Sequence, residues 1–122
     1  MKIFEINDKV NFVDENNVFV GFDARQQCCE SADWFISDFC YEKLDINNFS
    51  SDSWTEKYDG WTFDIENYDF IDGEFDCGSC IRFALVKDNK TKYLYLYNHH
   101  NGYYSHGFTL KNGEKILIED LI

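Results

Sequence analysis

Proline is absent from the 122-residue chain, and glycine occurs only 7 times. Turns therefore fall to Asn and Asp, whose short polar side chains bond to nearby backbone and tolerate left-handed conformations. No apolar run approaches the roughly 20 residues that a membrane-spanning helix needs. The opening MKIFEINDKVNF has an early lysine but no apolar core and no small-residue cleavage site, so it does not read as a secretory signal. The expectation is a soluble, cytoplasmic protein without membrane contact. There is also no GxSxG, no Gly-rich phosphate loop and no HExxH. Carboxylates are plentiful, but nothing singles out a catalytic pair, and no enzymatic activity is expected.

Cations are in short supply: 11 Lys and Arg stand against 23 Asp and Glu, a net charge of −12. The deficit is uneven. Residues 33–76 hold 2 basic and 13 acidic residues, while residues 77–122 hold 6 basic and 4 acidic. A spread of charge would serve solubility equally well, whereas clustering adds self-repulsion. A phosphate backbone would be repelled, so direct nucleic-acid binding is not expected. A basic protein partner is.

The five cysteines cannot all pair within one chain, which fits reduced thiols. Cys28, Cys29, Cys77 and Cys80 are the candidate zinc ligands, with His99 and His100 as further candidates should the fold bring them together. Only one CxxC is present, and adjacent cysteines in a strand point to opposite faces. The expectation is therefore no metal and no cofactor. Cys77-Gly78-Ser79-Cys80 enters a strand rather than opening a helix, which argues against a thioredoxin-like role. His99, His100 and His106 cluster around a turn, where one of them with Asp64 or Glu66 would form a general base. A polar Asn/Gly/His turn is the simpler reading.

What the chain has in abundance is aromatics, 12 Phe, 8 Tyr and 3 Trp, enough for one core without staples. Its length suits a single domain over 1–122. KVNFVDENNVFVGFD predicts a hairpin, 9–13 against 18–23. In SADWFISDFCYEKL, the residues Ala32, Phe35, Ile36, Phe39 and Cys40 form a helical stripe behind Ser31 as N-cap, predicting a helix over 31–42. A long polar loop follows. Trp61, Phe63 and Ile65 alternate with Thr62, Asp64 and Glu66, a half-exposed strand with an acidic outer face. Strands are then predicted at 80–87, 91–98, 103–110 and 114–119. Their turns fall at Asp88-Asn89-Lys90, Asn101-Gly102 and Asn112-Gly113. In YLYLY the tyrosines share one face and the leucines the other, which marks a central strand. The predicted class is α+β: an antiparallel meander of five to seven strands with one main helix packed on the sheet.

Residues 52–76 interleave acids with aromatics. Asp64, Glu66, Asp69, Asp72, Glu74 and Asp76 are the candidate partner-binding charges. Trp54 and Trp61 are the candidate anchors where exposed, and core residues where buried. In size, acidity and lack of a catalytic motif, the chain resembles bacterial toxin-immunity proteins, such as those of contact-dependent growth inhibition. The resemblance is at the level of the class. It implies an acidic inhibitor that occludes the basic active site of a nuclease toxin. Two alternatives are weighed beside it. One is a phage-encoded nucleic-acid mimic that inhibits a host defence nuclease. The other is a small Cys/His metal-binding protein or enzyme.

Overall fold

The computed structural model describes residues 1–25, 31–40, 43–44, 58–73, 78–99 and 105–122. Ten strands appear among them: β1 (Lys2–Ile6), β2 (Lys9–Val13), β3 (Val18–Asp23), β4 (Ser31–Ser37), β5 (Lys43–Leu44), β6 (Thr62–Gly73), β7 (Gly78–Lys87), β8 (Lys90–His99), β9 (Gly107–Asn112) and β10 (Lys115–Leu121). They form two five-stranded sheets. Sheet 1 has the order β1-β2-β3-β9-β10 and sheet 2 the order β4-β8-β7-β6-β5. All ladders are antiparallel except the short β5–β6 pairing, which is parallel.

The alternation of side chains along each strand builds the core between the sheets. Sheet 1 contributes Val10, Phe12, Val20, Phe22, Phe108 and Leu110, and sheet 2 contributes Trp34, Ile36, Phe63, Ile81, Phe83 and Leu94. Contacts cross the gap edge to face, with Phe12 5.0 Å from Trp34 and Phe83 6.2 Å from Phe108 between ring centroids. Such pairs add specificity to the area they bury.

Asn and Asp make the turns that proline does not. Asn7 and Asp8 between β1 and β2 have φ of 53° and 64°, and Asp88 and Asn89 between β7 and β8 have 49° and 64°. Two consecutive left-handed residues are the signature of a type I′ hairpin, whose twist matches that of the strands it joins. Gly113, with φ of 61°, opens the β9–β10 turn.

Asp14 ties the two sheets together. One carboxylate oxygen accepts from the Asn16 and Val18 amides, each at 2.9 Å, and the other accepts from the Phe63 amide at 2.8 Å. The side chain is buried. A carboxylate with two oxygens and several lone pairs can satisfy three amides, two beside the β2–β3 turn and one at the start of β6.

The expected α+β class with its main helix is overturned. No helix occurs among the described residues, and both sheets belong to an all-β architecture. Residues 31–37 are β4, paired along its length with β8. The helical stripe coincided with an equally good period of two. Ala32, Trp34 and Ile36 face the core, and Phe35 faces the other way. The helical reading left Trp34 out of its apolar stripe, whereas the strand buries it. Residues 41–42, the end of the expected helix, lie outside the described residues.

The meander is corrected too. β7 and β8 form one hairpin and β9 and β10 another, but in different sheets. Of the predicted strand 103–110, residues 103–104 lie outside the described residues, residues 105–106 are not strand, and β9 begins at Gly107. His106 instead exchanges two backbone hydrogen bonds with Ile122, at 2.8 and 2.9 Å. The hairpin 9–13 with 18–23 is present as β2 and β3, and β8 is an interior strand. No described helix is long and apolar enough to cross a membrane.

Candidate functional site

The acidic strand β6 lies beside β7, and β7 beside β8. Their registers set the face of sheet 2 that points away from the core. One row across it reads Phe35, Tyr95, Arg82, Asp69, and the next reads Ser37, Tyr93, Ala84, Asp64. The row on the other side reads Asp33, Tyr97, Cys80, Ile71. The tyrosines of YLYLY thus line up on this outer face and its leucines point inward, as the alternation predicts.

This face is far from uniformly exposed. Phe35, Tyr95 and Cys80 are buried, with Ile71, Tyr93 and Tyr97 packed against them. Phe35 and Tyr95 stack nearly parallel, 4.6 Å apart. The Tyr95 hydroxyl donates to the Phe39 carbonyl at 2.7 Å, so the chain after β4 folds back over the sheet.

The acids occupy the β6 side of this face. The register shifts at a bulge between Asp64 and Tyr68, and Glu66 and Asn67 within it are exposed. Asp64 holds the bulge by accepting from the Glu66 amide and the Asn67 side chain. Asp69 accepts from Arg82 at 3.0 Å; its side chain is 67 % exposed, while that of Arg82 is only 13 % exposed. The Arg82 guanidinium also lies over the Tyr93 ring, 5.5 Å from its centroid. Burial works against the Arg82 charge, yet the Asp69 hydrogen bond and the neighbouring Cys40 and Tyr95 leave its pKa raised. An ion pair with one exposed partner contributes about 0–1 kcal/mol, so its main effect is to fix where the exposed Asp69 carboxylate lies. A depression of about 280 Å³ opens beside it, lined by Cys40, Asp64, Asn67, Asp69, Arg82 and Tyr93 among others.

Neighbouring strands supply cations that the linear sequence places elsewhere. Arg82 meets Asp69, and Lys92 meets Asp38 at 2.6 Å. Lys92 also lies over Trp61, 5.5 Å from the ring centroid. The acidic surface is therefore patterned: Asp64 and Glu66 stand beyond a row whose own acid is paired.

Of the other expected site residues, Asp72 lies in β6, in register with Lys43 of β5. Glu74, Asp76 and Trp54 lie outside the described residues, as do Cys28, Cys29, Cys77 and His100. Trp61 is buried, with 8 % exposure, and joins the main core. It takes the structural branch of its expectation and is not a surface anchor. Cys80 is buried against Phe35 and Tyr95; burial pushes its thiol far above the ordinary range, with Arg82 pulling the other way. A desolvated thiol of this kind is a poor metal ligand and nucleophile. No group of three or more metal-ligating side chains comes together among the described residues.

His106 is buried, and its Nδ1 meets the Asp23 carbonyl. A carbonyl only accepts, so that nitrogen carries the proton. This places His106 in a structural role at the end of sheet 1, away from Asp64 and Glu66. Arg82 is the residue that sequence reasoning missed. The available signal was a lone cation inside the apolar run CIRFALV, in step with Cys80 and Ala84 on one face of an alternating strand; its pairing with Tyr95 and Asp69 was not legible.

No family model, curated protein or solved structure matches the chain.

Proposed function

We propose that this chain is a non-enzymatic acidic inhibitor of the immunity-protein kind, which docks on a basic protein partner, a nuclease toxin domain, and blocks its active site. The observation that carries the reading is β6, where Asp64 and Asp69 share the face turned away from the core and the exposed Glu66 lies in the bulge between them. Acids at the rim of a surface steer a basic partner and accelerate encounter. The Asp69–Arg82 pair supports a second step. Arg82 holds Asp69 in place before a partner arrives, which lowers the ordering cost of docking. With Trp61 buried, Tyr93 on the lining of the depression is the aromatic contact offered to a partner.

Co-expression with the protein encoded by the adjacent gene, followed by co-purification, tests the reading. A stable complex that protects RNA or DNA from the partner is expected. A partner that binds but retains full nuclease activity rejects occlusion, and the lack of any complex with a basic neighbour rejects the function.

A further inference from the structure

Strand β6 is covered along one edge and largely open along the other. It pairs with β7 from Thr62 to Ile71 across its bulge, but β5 meets it only at Asp72 and Gly73. Among the described residues, no strand lies along its far edge between Thr62 and Ile71. The registers identify the backbone groups left there. The Asp88-Asn89 turn has two residues, so Lys87 and Lys90 form a hydrogen-bonded pair, and alternate residues back along β7 bond to β8. Cys80, Arg82, Ala84 and Val86 therefore turn their backbone toward β6, where they meet Ile71, Asp69, Asp64 and Thr62. Phe63, Tyr68 and Phe70 turn theirs to the far edge. Phe63 agrees with this, since its amide donates to Asp14 from outside the ladder. Among the described residues, nothing bonds to the amides of Tyr68 and Phe70 from that side.

The other edges are blunted. β1 turns Glu5 to the core side opposite Val10. β10 turns Asp120 to the core side opposite Phe108 and carries a bulge between Ile116 and Ile118. On β4 the Trp34 amide is met by the Asp33 carboxylate. Inward charges and bulges keep strand edges from pairing with other chains. At residues 68–70 the core-side residues are instead both aromatic. Phe70 is 53 % exposed even though its ring meets that of Phe108.

The outer side of the same stretch is acidic. Asp69 lies between Tyr68 and Phe70, and its Oδ2 holds Arg82, which leaves Oδ1 for a second cation. Asp64 and the exposed Glu66 add charge beside it. A second copy of this edge would set like charges against each other, whereas a basic strand is attracted. An incoming antiparallel strand makes its hydrogen-bonded pairs at Tyr68 and Phe70. Asp69 then faces a non-hydrogen-bonded pair, where side chains come closest. The registers thus select an alternation, with apolar residues beside Tyr68 and Phe70 on the core side and a Lys or Arg beside Asp69 on the outer side. We infer that the far edge of β6 receives an extended segment of the basic partner as an added antiparallel strand, with the pattern apolar-basic-apolar. This rests on the proposed docking at β6 and gives that contact its backbone geometry.

The test is amide chemical-shift titration of the whole protein with the peptide acetyl-Arg-Val-Arg-Val-Arg-amide. The controls are an isomer with its arginines and valines in separate blocks, and two N-methylated forms. The alternating peptide should shift the amides of Tyr68, Asp69 and Phe70 and give an Hα–Hα Overhauser contact at Asp69. It should bind at least about fivefold more tightly than the block isomer. N-methylation of both valines, whose N–H groups face β6, should weaken binding about tenfold. N-methylation of the central arginine, whose N–H faces away, should change it less than about twofold. Phe70→Ala removes the apolar contact, and Phe70→Pro also removes the edge amide, which an edge strand tolerates. The second variant should bind about threefold more weakly than the first, with unchanged β-sheet circular dichroism. If Phe70→Pro does not fold, the two N-methylated peptides make the same comparison on the wild type. No binding by the alternating peptide, equal binding by the block isomer, or equal losses from the two N-methylations would overturn strand addition. Equal binding of both isomers at the acids of β6 would overturn the strand and leave docking at that face in place. A lack of co-purification with a basic neighbour rejects the inhibitory reading without altering the peptide result, so the two failures are told apart.

Discussion

The two outer faces of the sandwich have the same topological status and opposite treatment. On sheet 2 the outward-pointing Phe35 and Tyr95 are 1 % and 0 % exposed, stacked and hydrogen-bonded to the chain beyond β4. On sheet 1 the outward-pointing Phe4, Ile6, Ile116 and Leu121 are 40–61 % exposed. Strand alternation decides which side of a sheet a residue takes, but the path of the rest of the chain decides whether that side meets water. Sheet 2 has in effect a second small core outside the sandwich, and the acidic strip of β6 runs along its border. Sheet 1 leaves its apolar residues open to water.

Paired truncations break this comparison most sharply. Tyr95→Ala should cost about 3–5 kcal/mol in urea unfolding, the range for a large aromatic lost from a core, while Ile6→Ala should stay within about 0.5 kcal/mol. Similar losses at the two positions would remove the distinction between the faces. The next effect tests what holds the two sheets together. Asp14→Ala leaves three amides without their carboxylate, two of the bonds in buried surroundings, and should cost about 2–3 kcal/mol with no change in denaturant m-value. Asp69→Ala, which removes the exposed partner of Arg82, should cost less than about 1 kcal/mol.

The smallest effect concerns Asp33 at the β4 edge of the sheet 2 face. Asp33 is exposed, yet partial desolvation by the groups packed around it still raises its pKa, with the Trp34 amide hydrogen bond acting the other way. A carboxyl with a higher pKa folded than unfolded binds its proton more tightly in the native state. Its stabilising contribution is full below the unfolded pKa and is lost as pH rises through the folded one. Asp33→Asn should therefore raise the melting temperature slightly at neutral pH, and the gain should vanish in acid. A gain that persists unchanged at low pH would assign it to something other than ionisation.

Much of the β-structure was legible in the sequence. KVNFVDENNVFVGFD declared its hairpin, Asn112-Gly113 its turn, and YLYLY both its faces and its interior position. Strand β1 was missed because the Asn7-Asp8 pair between KIFEI and KVNFV was not read as the two-residue hairpin turn it is. SADWFIS failed for a physical reason. Over seven residues, periods of 2 and 3.6 share several positions, and only the partner strand β8 decides between them. Charge was legible as an amount but not as a surface. Residues 33–76 carry the excess, yet the fold sets Arg82 and Lys92 of β7 and β8 against Asp69 and Asp38. Nothing in a linear charge count encodes which strands become neighbours. Trp61 shows the same limit, since its alternation with acids fits an anchor and a core residue equally well.

The central claim is that the outer side of β6 receives a basic partner. Association kinetics with the partner at about 50 and 200 mM salt test it most directly, comparing the wild type, a triple reversal of Asp64, Glu66 and Asp69 to Lys, and a control reversal of Glu114 in the β9–β10 turn of the other sheet. The triple variant, folded by circular dichroism, should associate at least about tenfold more slowly at low salt and lose most of its salt dependence, while Glu114→Lys changes the rate by less than about twofold. Equal rates for the wild type and the triple variant, or an equal loss from Glu114→Lys, would contradict docking at this face.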